Sequence, residues 1–63
     1  MTDEQYKEIA ETYLLNHEIE HGGFWKVDHH SGGITVWFWR ESEDQTTNHY
    51  VAMWEDGTNC VGF

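Results

Sequence analysis

Proline is absent, cysteine occurs once, and lysine and arginine together number three. Each scarcity excludes something. One cysteine cannot close an internal disulfide, so this is not a disulfide-stapled miniprotein. No apolar run approaches the ~18 residues of a membrane span, so a membrane partner is not expected. Three cations offer too little charge to neutralise a phosphate backbone, which argues against direct nucleic-acid binding. Those three cations stand against 12 Asp and Glu residues, a formal charge of -9. Acidic disordered chains are poor in aromatics, whereas 10 of these 63 residues are Trp, Tyr or Phe, so a folded chain is expected. The length suits one small domain spanning residues 1–63, with a marginal core.

Acids at Asp3 and Glu4 stand where a secretory signal would carry positive charge, and no apolar stretch follows. The lone Cys60 also fits a reducing compartment. The expected location is therefore cytoplasmic. Cys60-Val61-Gly62-Phe63 has Gly62 where a prenylation box needs an aliphatic residue, so no lipid anchor is expected.

What is present divides by period. Residues 1–21 read as one helix: Thr2 is an N-cap, Gln5 completes a capping box, and Gly22-Gly23 supplies a stop. On a helical wheel Tyr6, Ile9, Ala10, Tyr13, Leu14 and His17 share one arc. Glu4, Glu8, Glu11 and Glu18 share the opposite arc with Leu15, making an amphipathic helix with an acidic outer face. From Phe24 onward the period is two. Phe24–His30 and Gly33–Arg40 are strand-like runs joined by Ser31-Gly32. That turn sets Val27 opposite Val36 and Trp25 opposite Phe38. Thr46–Trp54 is a third run, and Asp56-Gly57 marks a hairpin into a fourth. This hairpin sets Met53 opposite Cys60 and Tyr50 opposite Phe63. The expected fold is α+β: one N-terminal amphipathic helix on a four-stranded antiparallel meander, α-β-β-β-β.

Alternation sorts the strand residues into two faces. One holds Trp25, Val27, His29, Ile34, Val36, Phe38, His49, Val51, Met53 and Cys60, and suits the helix. The other holds Phe24, Lys26, Asp28, Thr35, Trp37, Trp39, Asn48, Tyr50, Ala52, Trp54, Val61 and Phe63. One helix covers only one face, so Trp37, Trp39, Tyr50, Trp54 and Phe63 are expected to meet water, a second copy or a partner. Contiguous exposed aromatics mark interaction sites, and Trp and Tyr are frequent hot spots. The plainer reading is that these residues are good strand formers needing no partner.

The acids cluster as well. Residues 1–21 carry six acids and one Lys, and Glu41, Glu43 and Asp44 fall within four positions. A solvated, solubilising surface accounts for such runs without any partner. Spaced carboxylates also imitate a phosphate backbone and steer a chain towards a basic groove. Small acidic inhibitors of nucleases, restriction enzymes and polymerases share this composition. The function expected is thus an acidic protein-binding module. It would inhibit or regulate a protein with a basic surface, nucleic-acid-processing proteins included. Trp37, Trp39, Tyr50, Trp54 and Phe63 would supply contact, and Glu8, Glu11, Glu41, Glu43 and Asp44 steering. A homodimer through the aromatic face is compatible with this reading.

The histidines offer an alternative: a small zinc protein. His17-Glu18-Ile19-Glu20-His21 spells H-E-x-x-H, the pattern of two zinc ligands and a general base on one helix face. Glu20 adds a charge foreign to that pattern, Gly22-Gly23 ends the helix, and Phe24 stands where the extended motif needs Gly. Convergence of His17, His29 and His49, with His21 or Cys60 added, would still suit tetrahedral Zn²⁺. No nucleophile is legible. Ser31 and Ser42 lack a nucleophile elbow, and Cys60 has no basic neighbour. Gly22-Gly23 follows a helix instead of opening one, so it forms no phosphate-binding loop. Neither a catalytic residue nor a cofactor is expected.

Overall fold

The computed structural model describes all 63 residues. One helix, α1 (Asp3–Asn16), precedes four strands: β1 (Gly23–His30), β2 (Gly33–Trp39), β3 (Asn48–Met53) and β4 (Val61–Gly62). The strands form one antiparallel sheet in the order β1-β2-β3-β4. This is the α+β meander that the periodicity predicts. No helix is long and apolar enough to cross a membrane.

The helix begins as its sequence dictates. Thr2 Oγ1 accepts from the Gln5 amide at 3.2 Å, and Gln5 Oε1 accepts from the Thr2 amide at 2.8 Å. This capping box satisfies two donors that a helix start leaves free. The C-terminus departs from expectation, because α1 stops at Asn16, well short of Gly22-Gly23. Glu18 turns left-handed at φ 57°, its amide donates to Leu15 O at 3.0 Å, and the Ile19 amide donates to Leu14 O at 2.9 Å. That pattern is a Schellman motif, and Ile19 folds back onto the core beside Leu14. Length explains the stop. Fourteen helical residues span ~21 Å, close to the ~23 Å of a seven-residue strand. Five more residues would have carried the helix beyond the sheet and left Ile19 without cover.

A non-glycine residue in the left-handed region is strained, and here it also places a carboxylate at the negative end of the helix dipole. Glu18→Gly is therefore expected to stabilise the fold by about 0.5–1 kcal/mol and raise the melting temperature by about 4 °C. Thermal denaturation followed by circular dichroism checks this. A lowered melting temperature would contradict the cap assignment.

The core lies between α1 and one sheet face. Tyr6, Ala10 and Leu14 of the helix pack on Ile34, Val36, Phe38, Val51 and Met53. The helix thus covers the aliphatic face, as alternation predicts. Two tyrosines tie it to the far end of the chain. Tyr6 Oη donates to Glu55 O at 2.5 Å. Tyr13 Oη donates to Gly62 O at 3.2 Å and accepts from the Gly62 amide at 3.3 Å. No buried side-chain polar atom lacks a partner.

The Ser31-Gly32 turn sets the register expected at its own end of the hairpin, with His30 opposite Gly33 and Val27 opposite Val36. Towards the start of β1 the register shifts. Lys26 pairs with Trp37 and Phe24 pairs with Phe38, so Trp25 is an extra residue in a β-bulge. The predicted pairing of Trp25 with Phe38 is incorrect, and the two aromatics exchange faces. Phe24 enters the helix side, where its ring meets Phe38 edge-on at 6.1 Å and Lys7 Nζ lies 5.2 Å from its centroid. Trp25 turns to the open side.

The β3–β4 ladder keeps the expected register but forms only two pairs, Val51 with Gly62 and Ala52 with Val61; the predicted pairs Met53–Cys60 and Tyr50–Phe63 lie outside it. β4 is only two residues long. The intervening loop is held by Asp56, which accepts from the Thr58 amide at 3.0 Å and the Thr58 hydroxyl at 2.6 Å. The Thr58 hydroxyl, then its amide, hold the Asp56 carboxyl below the usual carboxylate range. Gly62 is required by close approach: a Cβ there would lie 2.1 Å from Tyr50 O.

Candidate protein-binding face

The uncovered sheet face carries a continuous aromatic band. Trp25 stacks on Trp39 with centroids 4.4 Å apart and planes at 24°. Trp25 also meets Trp37 edge-on at 6.2 Å, and Trp37 meets Tyr50 at 5.9 Å. Four rings from β1, β2 and β3 therefore touch in series. Cross-strand register aligns Trp37 with Tyr50 directly. Trp25 joins them only because the bulge rotates it outward. Trp25 and Tyr50 are each 41% exposed, whereas Trp37 and Trp39 are half-buried by their neighbours. Neighbouring rings restrict one another's rotamers, so these side chains have little rotamer entropy left to lose in a contact.

Polar groups organise the band. The Trp37 indole N–H donates to Asp28 Oδ2 at 2.9 Å. Lys26 Nζ stands 3.6 Å from the same oxygen and 4.3 Å from the Trp25 ring centroid. The other two cations are also engaged: Lys7 lies over Phe24, and Arg40 Nε donates to Asn48 O at 3.0 Å.

Two residues expected in the band lie elsewhere. Phe63 sits 6.3 Å from Tyr13 and 5.6 Å from His17, centroid to centroid, on the helix side. Tyr13, bonded to both backbone groups of Gly62, draws the chain end round the sheet edge. Trp54 lies just past the end of β3, in the turn that closes through Gly57 N–H to Trp54 O at 2.8 Å. It is 60% exposed and outside the stacked series. Trp25, which alternation placed under the helix, is the member that sequence reasoning missed. Nothing in the sequence pattern signals this, because alternation does not mark where a bulge falls.

The five acids expected to steer fall into two groups. Glu8 and Glu11 lie on α1, across the sheet from the band. Glu41, Glu43 and Asp44 are exposed in the β2–β3 loop that follows Trp39. Gly22 pins this loop from below: its amide donates to Trp39 O at 2.8 Å, and a Cβ on it would lie 2.1 Å from the Glu41 carbonyl carbon. Asp44 has a local role, accepting from the Thr46 amide at 3.0 Å and from the Thr46 hydroxyl.

The four candidate zinc ligands do not converge on one point. His17 is the helix C-cap and packs on Tyr13 at 4.3 Å. His29 stands at the other end of the helix, its Nε2 2.7 Å from Asp3 Oδ1, about 21 Å of helix away. His21 and His49 do line a common polar recess with Glu20, Arg40 and Glu41. There His21 Nδ1 accepts from the Gly23 amide at 3.0 Å, His49 Nδ1 faces Phe63 O at 2.5 Å, and Arg40 adds a positive charge. No three His, Cys, Asp or Glu side chains come together as a metal-binding group. The early helix stop also removes the H-E-x-x-H geometry, because His21 is no longer one helical turn beyond His17.

Cys60 is half-buried behind the β3–β4 loop, and burial pushes its thiol up from the ordinary range. Less thiolate exists at a given pH, so alkylation by iodoacetamide at pH 8 is expected to be slower than for a free cysteine. Addition of urea should restore the free rate. Equal rates with and without urea would contradict this placement.

Compared with known protein families, curated proteins and solved structures, the chain matches none of them.

Proposed function

We propose that this protein is an acidic protein-binding module that inhibits or regulates a partner with a basic surface. The observation that carries this reading is the Trp25–Trp37–Trp39–Tyr50 band on an uncovered sheet face, in a chain of net charge -9. Rigid Trp and Tyr side chains are the commonest energetic anchors of interfaces. The charge selects the partner's sign and quickens encounter. Glu41, Glu43 and Asp44, next to Trp39, would contact the partner's rim, while Glu8 and Glu11 act at a distance. All three cations are engaged within the chain, which favours a protein partner over nucleic acid. Proteins that process nucleic acids carry basic grooves of the kind such a surface would occupy.

Capture from lysate by wild type and by Trp39→Ala, at low and at high salt, tests this. Support requires a basic protein that wild type retains, that high salt releases, and that Trp39→Ala fails to hold. Equal capture by Trp39→Ala would reject the face. Sedimentation supplies the other arm: a wild-type dimer at high micromolar concentration, lost in Trp39→Ala, would assign the band to a second copy.

A further inference from the structure

We propose that Lys26 is a built-in stand-in for an arginine of the partner, and that binding displaces it; this rests on the reading of the aromatic band as the contact face. Lys26 Nζ lies 4.3 Å over Trp25 and 3.6 Å from Asp28 Oδ2, so an aromatic face and a carboxylate together already hold a cation. The site is built around that cation. The bulge turns Trp25 outward, Trp39 backs it in a stack, and the Trp37 indole fixes the Asp28 carboxylate.

The present occupant holds it weakly. Its contact to Asp28 exceeds hydrogen-bond length, and the two side chains are 43% and 46% exposed, so the pair is screened and exchangeable. A guanidinium suits the same groups better. Its plane stacks on indole while its N–H groups donate to a carboxylate, and it is more weakly hydrated than ammonium. β1 is an edge strand, so a partner chain can reach Trp25 from the side as well as from above. Glu41 and Glu43 would favour further cations flanking that arginine. Lys26 thus caps the site against indiscriminate cation binding and yields to a better-fitting one.

The test titrates a short peptide of alternating arginine and glycine, and its lysine counterpart, into wild type, Lys26→Met and Lys7→Met. Each substitution removes one positive charge, but Lys7 lies on the helix side over Phe24. Lys26→Met is expected to tighten arginine-peptide binding about fivefold, against less than about twofold for Lys7→Met. The gain should be smaller for the lysine peptide and should vanish when Trp25→Leu is added. Equal tightening by both lysine variants, or a gain that survives Trp25→Leu, overturns the stand-in. So does absence of peptide binding by wild type and Lys26→Met alike. The reading of the face is judged separately, by whether Trp39→Ala abolishes lysate capture.

Discussion

Phe38→Ala is expected to abolish cooperative folding, or leave a chain that melts close to room temperature. Phe38 is fully buried in β2, where it meets His21 at 4.6 Å and Phe24 at 6.1 Å under the helix. Truncating a buried Phe costs about 3–5 kcal/mol, the lost transfer energy plus the cavity. A chain of 63 residues has roughly 3–9 kcal/mol in total at about 0.05–0.15 per residue. The loss therefore takes most or all of the stability. Urea denaturation followed by circular dichroism measures it. A midpoint near that of wild type would remove Phe38 from the core and reverse the assignment of faces.

The adjacent residue should behave in the opposite way. Trp39→Ala is expected to keep the fold and to weaken partner binding by about 2 kcal/mol, roughly thirtyfold. Trp39 is half-buried and its main neighbour is Trp25, itself 41% exposed, so the stability cost should stay near 1 kcal/mol, the scale of one aromatic pair. Binding of the captured partner, measured beside the melting temperature, separates the two effects. Trp37→Ala is the less clean variant, because it also frees Asp28 from the indole N–H. If the acidic helix does the recognising, Trp39→Ala will leave affinity unchanged. Glu8→Lys with Glu11→Lys will then weaken binding throughout, beyond slowing association and flattening its salt dependence. A stability loss of about 3 kcal/mol in Trp37→Ala, the scale of a core truncation, would place that face inside.

Much of the architecture was legible because its causes are local. The capping box needs only Thr2 and Gln5 at the right spacing. Ser31-Gly32 aligns Val27 with Val36 through turn geometry, and alternation then sorts Ile34, Val36, Phe38, Val51 and Met53 to one face. Alternation puts Trp37 and Tyr50 on the open face for the same reason, and they lie opposite each other there. The exchange of faces in β1 has a single origin. Alternation carries a parity that a single inserted residue inverts, and the sequence pattern does not mark where insertion occurs. In β1 it occurs at Trp25, so the first aromatic pair changed places and the candidate face gained its most exposed tryptophan.

By itself, then, the sequence determined the element types, the antiparallel order, the helix start, the aliphatic core face and the excess of negative charge, since each follows from composition or short-range spacing. Tertiary structure alone decided how far the helix runs, because the left-handed turn at Glu18 is what brings Ile19 back onto the core. It decided which of Phe24 and Trp25 takes the helix side, because the bulge at Trp25 inverts the alternation of the residues before it. It set His17 and His29 at opposite ends of the helix and drew Phe63 to Tyr13, because contacts between residues far apart in sequence follow only from packing. The cation held between Trp25 and Asp28 is likewise a product of the bulge, in which neighbours along the chain are turned to one face by a residue that has no partner in the ladder.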